Sequence, residues 1–369
     1  MIKQLKSITI NIVAGANACV VLMMLLTAYS DHFNPTHHAF LSVLGLGFPV
    51  MLLLSMGFVF FWVIFKRRYI LITFVGYLLA IPSIRVYVPY NNASETIPQG
   101  SIKVLSYNVQ AYTGAPRYDD RFDTIISYAR RCDADIVCVQ EDISSVHDTR
   151  AAWNKLYAYC DTLMVSLPTA GNGLGIYSRY PILRRERINY PSLANMSVAY
   201  FLQKGSDTII VVNNHLESNH LSEVEREGYR ELIKGDMPKE KAKEQSRMLI
   251  DKLTDAAVIR APQADSVAAF IRRHSGYPII VCGDFNDNPI SYARRTIAQN
   301  LTDCYVAAAK GMGWSYNQKG FCVRIDNILC SSHFKPYNCK IDNKIDASDH
   351  YPIICWLKLQ GEESKKTRK

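Results

Sequence analysis

The stretch VCGDFNDNP, residues 281–289, places Asp284, Asn286, Asp287 and Asn288 directly after the apolar run 277–282. Oxygen-rich side chains at the end of a buried strand are costly to desolvate and poor at packing, so a run of them there points to something bound. The same arrangement recurs along the chain. Asn108, Glu141 and His215 each close an apolar run, Asp326 lies within VRIDNILC, and Asp349 and His350 precede the last such run. Carboxylates and amides are hard oxygen donors suited to a divalent cation. Histidine titrates near neutrality and can move a proton or supply charge. Taken singly, each of these residues reads most simply as a turn or capping residue. Together they call for a ligand lying beyond the strand ends of a layered sheet. Asp287 and Asn288 read as turn residues before Pro289.

Other chemistries lack their signatures. No GxSxG motif marks a nucleophilic serine, and GNGLG at 171–175 lacks the GK[ST] of a phosphate-cradling loop. Ten cysteines, Cys19 and nine from Cys132 to Cys355, include no CxxC pair, which argues against a zinc site or a disulfide framework. Cys138, Cys282 and Cys355 sit inside apolar runs, where cysteine behaves as a small buried hydrophobe.

The elements that position these residues follow from periodicity. Beyond residue 100 the segments IKVLSYNV, ADIVCVQE, GLGIYSRY, VAYFLQK, DTIIVVNNHL, YPIIVCGDF, VRIDNILCS and YPIICWLKL read as strands by length and β-branched content. RFDTIISYARRC, the charged segment near 221–258 and QADSVAAFIRRH have helical spacing. Strands in this number with helices between them predict two packed β-sheets flanked by helices.

The first ninety residues differ in kind. Residues 8–29, 40–65 and 69–87 are apolar and nearly uncharged, near the ~20 residues a membrane-crossing helix needs. The third run is marginal because Pro82 and Arg85 lie near its end. The division expected is a membrane anchor of about three transmembrane helices over 1–90, a polar linker at 91–100, a catalytic domain at 101–360 and a charged, solvated tail at 361–369. Lys3, Lys6 and the cluster Lys66, Arg67, Arg68 put the N-terminus and the second loop in the cytoplasm by the positive-inside rule. Three spans then place the catalytic domain on the extracytoplasmic side, and two would place it in the cytoplasm. Nine cysteines in that domain sit poorly with an oxidising compartment. The net charge of +9 reads as solubility more readily than as an anionic partner.

LSYNVQ, DIVCVQE, GLGIYSRYPI, NNHLES, CGDFND, RIDNIL and SDHYPI, in that order, resemble the endonuclease/exonuclease/phosphatase superfamily of deoxyribonuclease I-like phosphoesterases. The resemblance runs from about residue 102 to 358. It implies a four-layer α/β sandwich and metal-dependent hydrolysis of a phosphate ester by in-line attack of water, with Mg²⁺ or Mn²⁺ as cofactor. Carried over residue by residue, Glu141 resembles the principal metal carboxylate, with Asn108 beside it and Asp349 reaching the metal shell. His350 resembles the general base or charge-stabilising imidazole, and Asp326 its orienting carboxylate. Asp284 resembles the group that positions the attacking water or protonates the leaving group. Asn286 and His215 resemble contacts to phosphate oxygens.

Substrate identity lies in the loops, and one fold serves many substrates. A phosphodiester of nucleic acid, a phospholipid headgroup or a small phosphodiester all fit, and so does a phosphomonoester. An inactive membrane-linked binding module is the reading from another class. RYPILRRERINYP, residues 179–191, is the one cluster with the basic and aromatic flavour of a nucleic-acid surface. The mixed-sign segment 218–258 reads as a solvated helical pair before it reads as a cap over the site. The lipid bilayer is a partner through the N-terminal helices, and no protein partner is indicated.

Overall fold

The computed structural model describes residues 2–92, 96–112, 121–143, 149–165, 172–192 and 194–360. The expected charged tail at 361–369, part of the linker and Gly171 lie outside them. Four helices come first: α1 (Ile2–Ala28), the short α2 (Ala39–Ser42), α3 (Phe48–Phe65) and α4 (Ile70–Tyr87). Three segments, Gln4–Ala28, Ala39–Phe65 and Arg67–Tyr87, are long and apolar enough to cross a membrane. Pro82 stays inside α4 rather than ending it. Polar side chains tie the helices together, as Thr73 Oγ1 donates to Asn17 Oδ1 (3.0 Å) and Ser83 Oγ to the Ala28 carbonyl (2.6 Å). Such bonds between helices matter most where water is absent.

Twelve strands follow: β1 (Ile102–Asn108), β2 (Ile136–Gln140), β3 (Tyr159–Val165), β4 (Asn172–Ser178), β5 (Ile182–Ile188), β6 (Met196–Lys204), β7 (Asp207–His215), β8 (Ile279–Asp284), β9 (Thr302–Asp303), β10 (Asp326–Cys330), β11 (Phe334–Ile341) and β12 (Ile353–Leu359). Between them run α5 (Arg121–Cys132), α6 (Thr149–Leu156), α7 (Glu223–Lys234), α8 (Lys239–Arg273), α9 (Tyr292–Ile297) and α10 (Cys304–Ala308). The strands form two six-stranded sheets, β11-β12-β1-β2-β4-β3 and β5-β6-β7-β8-β10-β9. Apolar side chains from both, including Val104, Cys138, Val198, Val211 and Cys282, pack between the sheets. The outer face of the first sheet packs on α5 and α6, and that of the second on α8 and α9. The result is the expected four-layer α/β sandwich, with the N-terminal helices attached.

One symmetry of the topology positions the site. Each sheet has a parallel pair at its centre, β1 with β2 and β7 with β8, and its other strands pair antiparallel. Parallel neighbours end at the same edge, so Asn108 and Gln140 lie level in one sheet and His215 and Asp284 in the other. The antiparallel partner β10 begins where β8 ends, which sets Asp326 opposite Asp284. The sheets are pinned at this end by a buried polar contact. Gln140 Nε2 donates to Asn213 Oδ1 at 2.6 Å, and Asn213 Nδ2 donates to the Val139 and Gly175 carbonyls at 3.0 Å.

The charged segment 218–258 differs from expectation. It holds α7 and the first half of α8, one helix that continues through Pro262 and absorbs QADSVAAFIRRH. Arg226, Tyr229, Leu249 and Leu253 from this segment line the cleft above the strand ends, so it forms a wall as well as a solvated surface. Its mixed-sign charge marks the solvent side and hides the other. Three of the four arginines in the basic stretch at 179–191 are paired with acids. Arg179 pairs with Asp133 and Asp135, Arg184 with Glu186, and Arg185 with Asp161.

Candidate active site

Seven of the residues read from the sequence converge at the strand ends. Asn108 Nδ2 donates to Glu141 Oε1 and to Asp284 Oδ2, both at 3.1 Å, and so bridges the two sheets. His350 Nδ1 bonds Asp326 Oδ2 at 2.8 Å, and its Nε2 lies 3.6 Å from Asp284 Oδ2. His215 Nε2 stands 3.8 Å from Glu141 Oε1 and 3.9 Å from Asp284 Oδ2. Asp349 lines the same cleft of about 540 Å³ as Glu141, His215, Asp284, Asn286 and His350.

Asn286 is the eighth. It lines the cleft in a left-handed conformation (φ 52°), which asparagine tolerates better than most residues. Its side-chain nitrogen donates to the Leu216 carbonyl (2.9 Å) and its backbone N–H to Asp284 Oδ1 (2.8 Å). Between 284 and 286 the ring of Phe285 is fully buried in the core under the second sheet. Glu141 also has a left-handed backbone (φ 54°), strain of the sort that concentrates at functional positions. Gly283 explains how β8 comes so close to β7. Its φ is 126°, and a Cβ there would collide with the Asn214 backbone.

The protonation states of the four central groups are driven apart. Burial alone would lower His350, but Asp326 and Asp284 overcome it and hold the imidazole well above its usual range, as a cation at neutral pH. His215 is lowered, chiefly by burial, and stays neutral. Asp284 is pushed up to about 6 by burial, against the pull of His350. Glu141 is raised by burial, opposed by the Asn108 hydrogen bond and reinforced by the charge of Asp349.

These facts test which residues suit a metal ion. Glu141 and Asp349 offer carboxylate oxygen at the cleft, and their mutual repulsion is what a hard divalent cation would relieve. Asn108 presents its amide nitrogen to Glu141 while its oxygen takes the Gln110 backbone N–H (3.0 Å), which leaves that oxygen a second lone pair. Asp284, Asp326 and His350 also cluster closely enough to bind an ion. As the site stands, His350 Nδ1 bonds Asp326 and its Nε2 faces Asp284, and these two carboxylates hold the ring well above its usual range. Asp326 Oδ1 is buried without a protein hydrogen-bond partner among the described residues, an acceptor left for ligand or water.

Several participants carried no signal in the sequence. Asn172 sits 3.2 Å from His215 Nδ1 and fixes that ring. The Tyr316 ring lies against His350 (centroids 5.2 Å apart), and its hydroxyl accepts from Arg226 Nη1 (3.0 Å). Arg260, only 2% exposed, donates to Asp287 Oδ2, the Glu217 carbonyl and Asn219 Oδ1. An asparagine before a glycine, a loop tyrosine and arginines of a charged helix look ordinary by type and spacing.

A family model described as Endonuclease/Exonuclease/phosphatase family matches residues 105–350. A second, described as a domain of unknown function, matches residues 10–87. A search of curated proteins gave no match. Among solved structures, the human Nocturnin catalytic domain with bound sulfate anion aligns with a TM-score of 0.51 at 15% identity, over 72% of this chain and 97% of that one. An endonuclease/exonuclease/phosphatase from Beutenbergia cavernae gives a TM-score of 0.50 at 16% identity, over 71% and 72%. One from Bacteroides vulgatus gives 0.49 at 18% identity, over 71% and 100%. At such identities the likeness of the first two shows the fold alone.

Proposed function

Because the chain belongs to the endonuclease/exonuclease/phosphatase family, we propose that it is a divalent-metal-dependent phosphodiesterase displayed at a membrane by its N-terminal helices. The observation that carries this reading is convergence. Groups as far apart in sequence as Asn108, Glu141, His215, Asp284, Asp326 and His350 meet at the strand ends, with Glu141, His215, Asp284 and His350 lining one cleft. A module that only binds or tethers has no use for so many desolvated polar groups.

The roles follow from the protonation states. Asp284, ionised above about pH 6, is the acceptor for a proton from the attacking water. His350, held cationic and oriented by Asp326, stabilises charge on the phosphoryl oxygens, the second of the two roles its type allowed. His215 and Asn286 donate hydrogen bonds to phosphate oxygens, His215 as a neutral ring fixed by Asn172. Glu141 and Asp349 would hold Mg²⁺ or Mn²⁺, which would supply charge neutralisation at the phosphate and at the leaving oxygen. A monoanionic diester suits this cleft better than a dianionic monoester, since Arg260 is already paired with Asp287.

Residues 1–90 form the anchor, 91–100 the linker and 101–360 the catalytic domain in this reading. The side it faces follows from parity. The catalytic domain packs against the segment between α1 and α3 and against the end of α4. Asn34 Nδ2 donates to the Tyr292 hydroxyl (3.2 Å), Arg324 Nη2 to the Val86 carbonyl (2.7 Å) and Asn91 Nδ2 to the Ala309 carbonyl (2.6 Å). Lys66, Arg67 and Arg68 lie between α3 and α4, at the other end of those helices. With that cluster in the cytoplasm, the catalytic domain is extracytoplasmic.

The test is hydrolysis by the purified full chain with Mg²⁺, comparing bis-p-nitrophenyl phosphate with p-nitrophenyl phosphate. The diester is expected to be the better substrate, and His350→Ala to lose roughly a hundred- to ten-thousandfold of the rate. Preference for the monoester would replace the diesterase reading. A fully active His350→Ala enzyme would contradict the site.

A further inference from the structure

One wall of the cleft comes from the N-terminal helices. Val43, Leu46 and Pro49, around the start of α3, and Tyr87, the last residue of α4, line the same cleft as Glu141, His215, Asp284 and His350. Leu249 and Leu253 of α8 add further apolar lining. This surface is not packed core, since Leu46 is 40% exposed and Val43 and Pro49 are half-buried. An apolar surface therefore opens directly onto the phosphate-binding groups.

The wall is held in place by specific contacts. Gly45 lies so close to the catalytic domain that a Cβ would collide with the Ile290 carbonyl. Ile290 itself packs among Met24, Ala28, Phe48, Ala80 and Tyr87. At the other helix end the buried Arg324 guanidinium ties the Val86 carbonyl to the Met312 carbonyl, each at 2.7 Å. That bond holds the Met312 backbone near the end of α4, and Met312 and Trp314 are both exposed. Large apolar and aromatic side chains at the end of a membrane-crossing helix sit at headgroup depth. The cleft is thus lined in part by the ends of helices long and apolar enough to cross a membrane.

Its charge argues against a polyanion. Nucleic-acid binding needs a stripe of free cations to neutralise successive phosphates. Among the described residues lining the cleft, Arg260 is neutralised by Asp287, which leaves Arg226, hydrogen-bonded to the Tyr316 hydroxyl, as one arginine cation rather than a stripe.

We propose that the substrate is a membrane phospholipid that enters the cleft from the leaflet. Its hydrocarbon lies on Val43, Leu46, Pro49 and Leu249, and its phosphodiester reaches Glu141, His215, Asp284 and His350. This rests on the phosphodiesterase reading above and names its substrate class. In the reaction, water adds its oxygen to phosphorus and gives a proton to Asp284. One P–O ester bond breaks, and the departing alkoxide takes a proton from solvent water and leaves as an alcohol, while Asp284 returns its proton to the hydroxide so formed and is restored as a carboxylate.

The experiment uses the full chain in nanodiscs of equimolar phosphatidylcholine and phosphatidylglycerol with Mg²⁺, and follows release of water-soluble headgroup product. Glycerophosphocholine and glycerophosphoglycerol, which carry the same headgroups without chains, form the second arm. DNA and RNA form the third, and bis-p-nitrophenyl phosphate is the soluble reference. The lipids are expected to turn over roughly a hundredfold faster than the chain-free diesters, a difference that burial of even a few methylenes supports. Leu46→Glu is expected to lower the ratio of lipid to reference turnover roughly tenfold, as a charge on an apolar wall should. The wild-type comparison stands whether or not that variant folds. Equal rates on lipids and chain-free diesters, preference for nucleic acid, or an unchanged ratio in Leu46→Glu would overturn the proposal while leaving the phosphodiesterase reading intact. Loss of the reference reaction in the wild-type chain would instead overturn that reading and the proposal with it.

Discussion

Asp284 and His350 face each other at 3.6 Å with both affinities for protons raised, so near neutrality one is a carboxylate and the other an imidazolium. In the proposed mechanism Asp284 is the base and His350 the charge stabiliser, and this yields a pH profile. As pH falls through about 6, Asp284 takes up a proton and can no longer accept one from water. The rate kcat/KM on a soluble diester is expected to fall about tenfold per pH unit below that point. Asp284→Asn should abolish this acidic limb together with most of the rate. A flat profile between pH 5 and 7, the span that brackets a carboxylate raised to about 6, would contradict the assignment. The residues that carry chemistry were legible because their types are costly at strand ends, as with Asp284 after IIVCG. Those that orient them were not, since Asn172 and Tyr316 gain their meaning only when a distant histidine arrives beside them.

At the scale of elements, the two central parallel pairs set the geometry, and Gly283 is the point where β7 and β8 are forced close. Gly283→Ala places a side chain against the Asn214 backbone at a φ that L residues avoid, and should destabilise the protein by about 2–4 kcal/mol. Urea unfolding of the detergent-solubilised chain measures it. A change under about 0.5 kcal/mol, the size of a neutral surface substitution, would mean that the strands relax freely. The eight strands read from the sequence are the eight inner strands of the two sheets. The strands missed, β3, β5, β9 and β11, are their four edges. Inner strands are covered on both sides and show it as apolar β-branched runs. Edge strands carry charge, proline or brevity as a guard against pairing with other chains. β5 reads ILRRERI, β11 contains Pro336 and β9 has two residues. The segment near 221–258 and QADSVAAFIRRH read as separate helical stretches, whereas α8 runs through Pro262 and joins the end of the first to the second.

For the whole molecule, the N-terminal helices and the sandwich share a core around Ile290 and one cleft, so the apolar helices are part of the candidate site. The three apolar runs were plain from hydropathy, but nothing in their sequence signalled that their ends line the active site. A reporter fused to the C-terminus is expected to be active only outside the cytoplasm. A cytoplasmic signal would reverse the orientation and mean that one of the three helices does not span. The central claim is that the cleft is a metal-dependent phosphoesterase. It is tested most directly by measuring bis-p-nitrophenyl phosphate turnover by the full chain as Mg²⁺ is removed by chelation and then restored, in wild type and in Glu141→Gln. The expected result is complete loss on chelation, full recovery in wild type, and in Glu141→Gln recovery only at Mg²⁺ concentrations at least roughly tenfold higher. Turnover that persists without metal, or a Glu141→Gln titration that coincides with wild type, would contradict it.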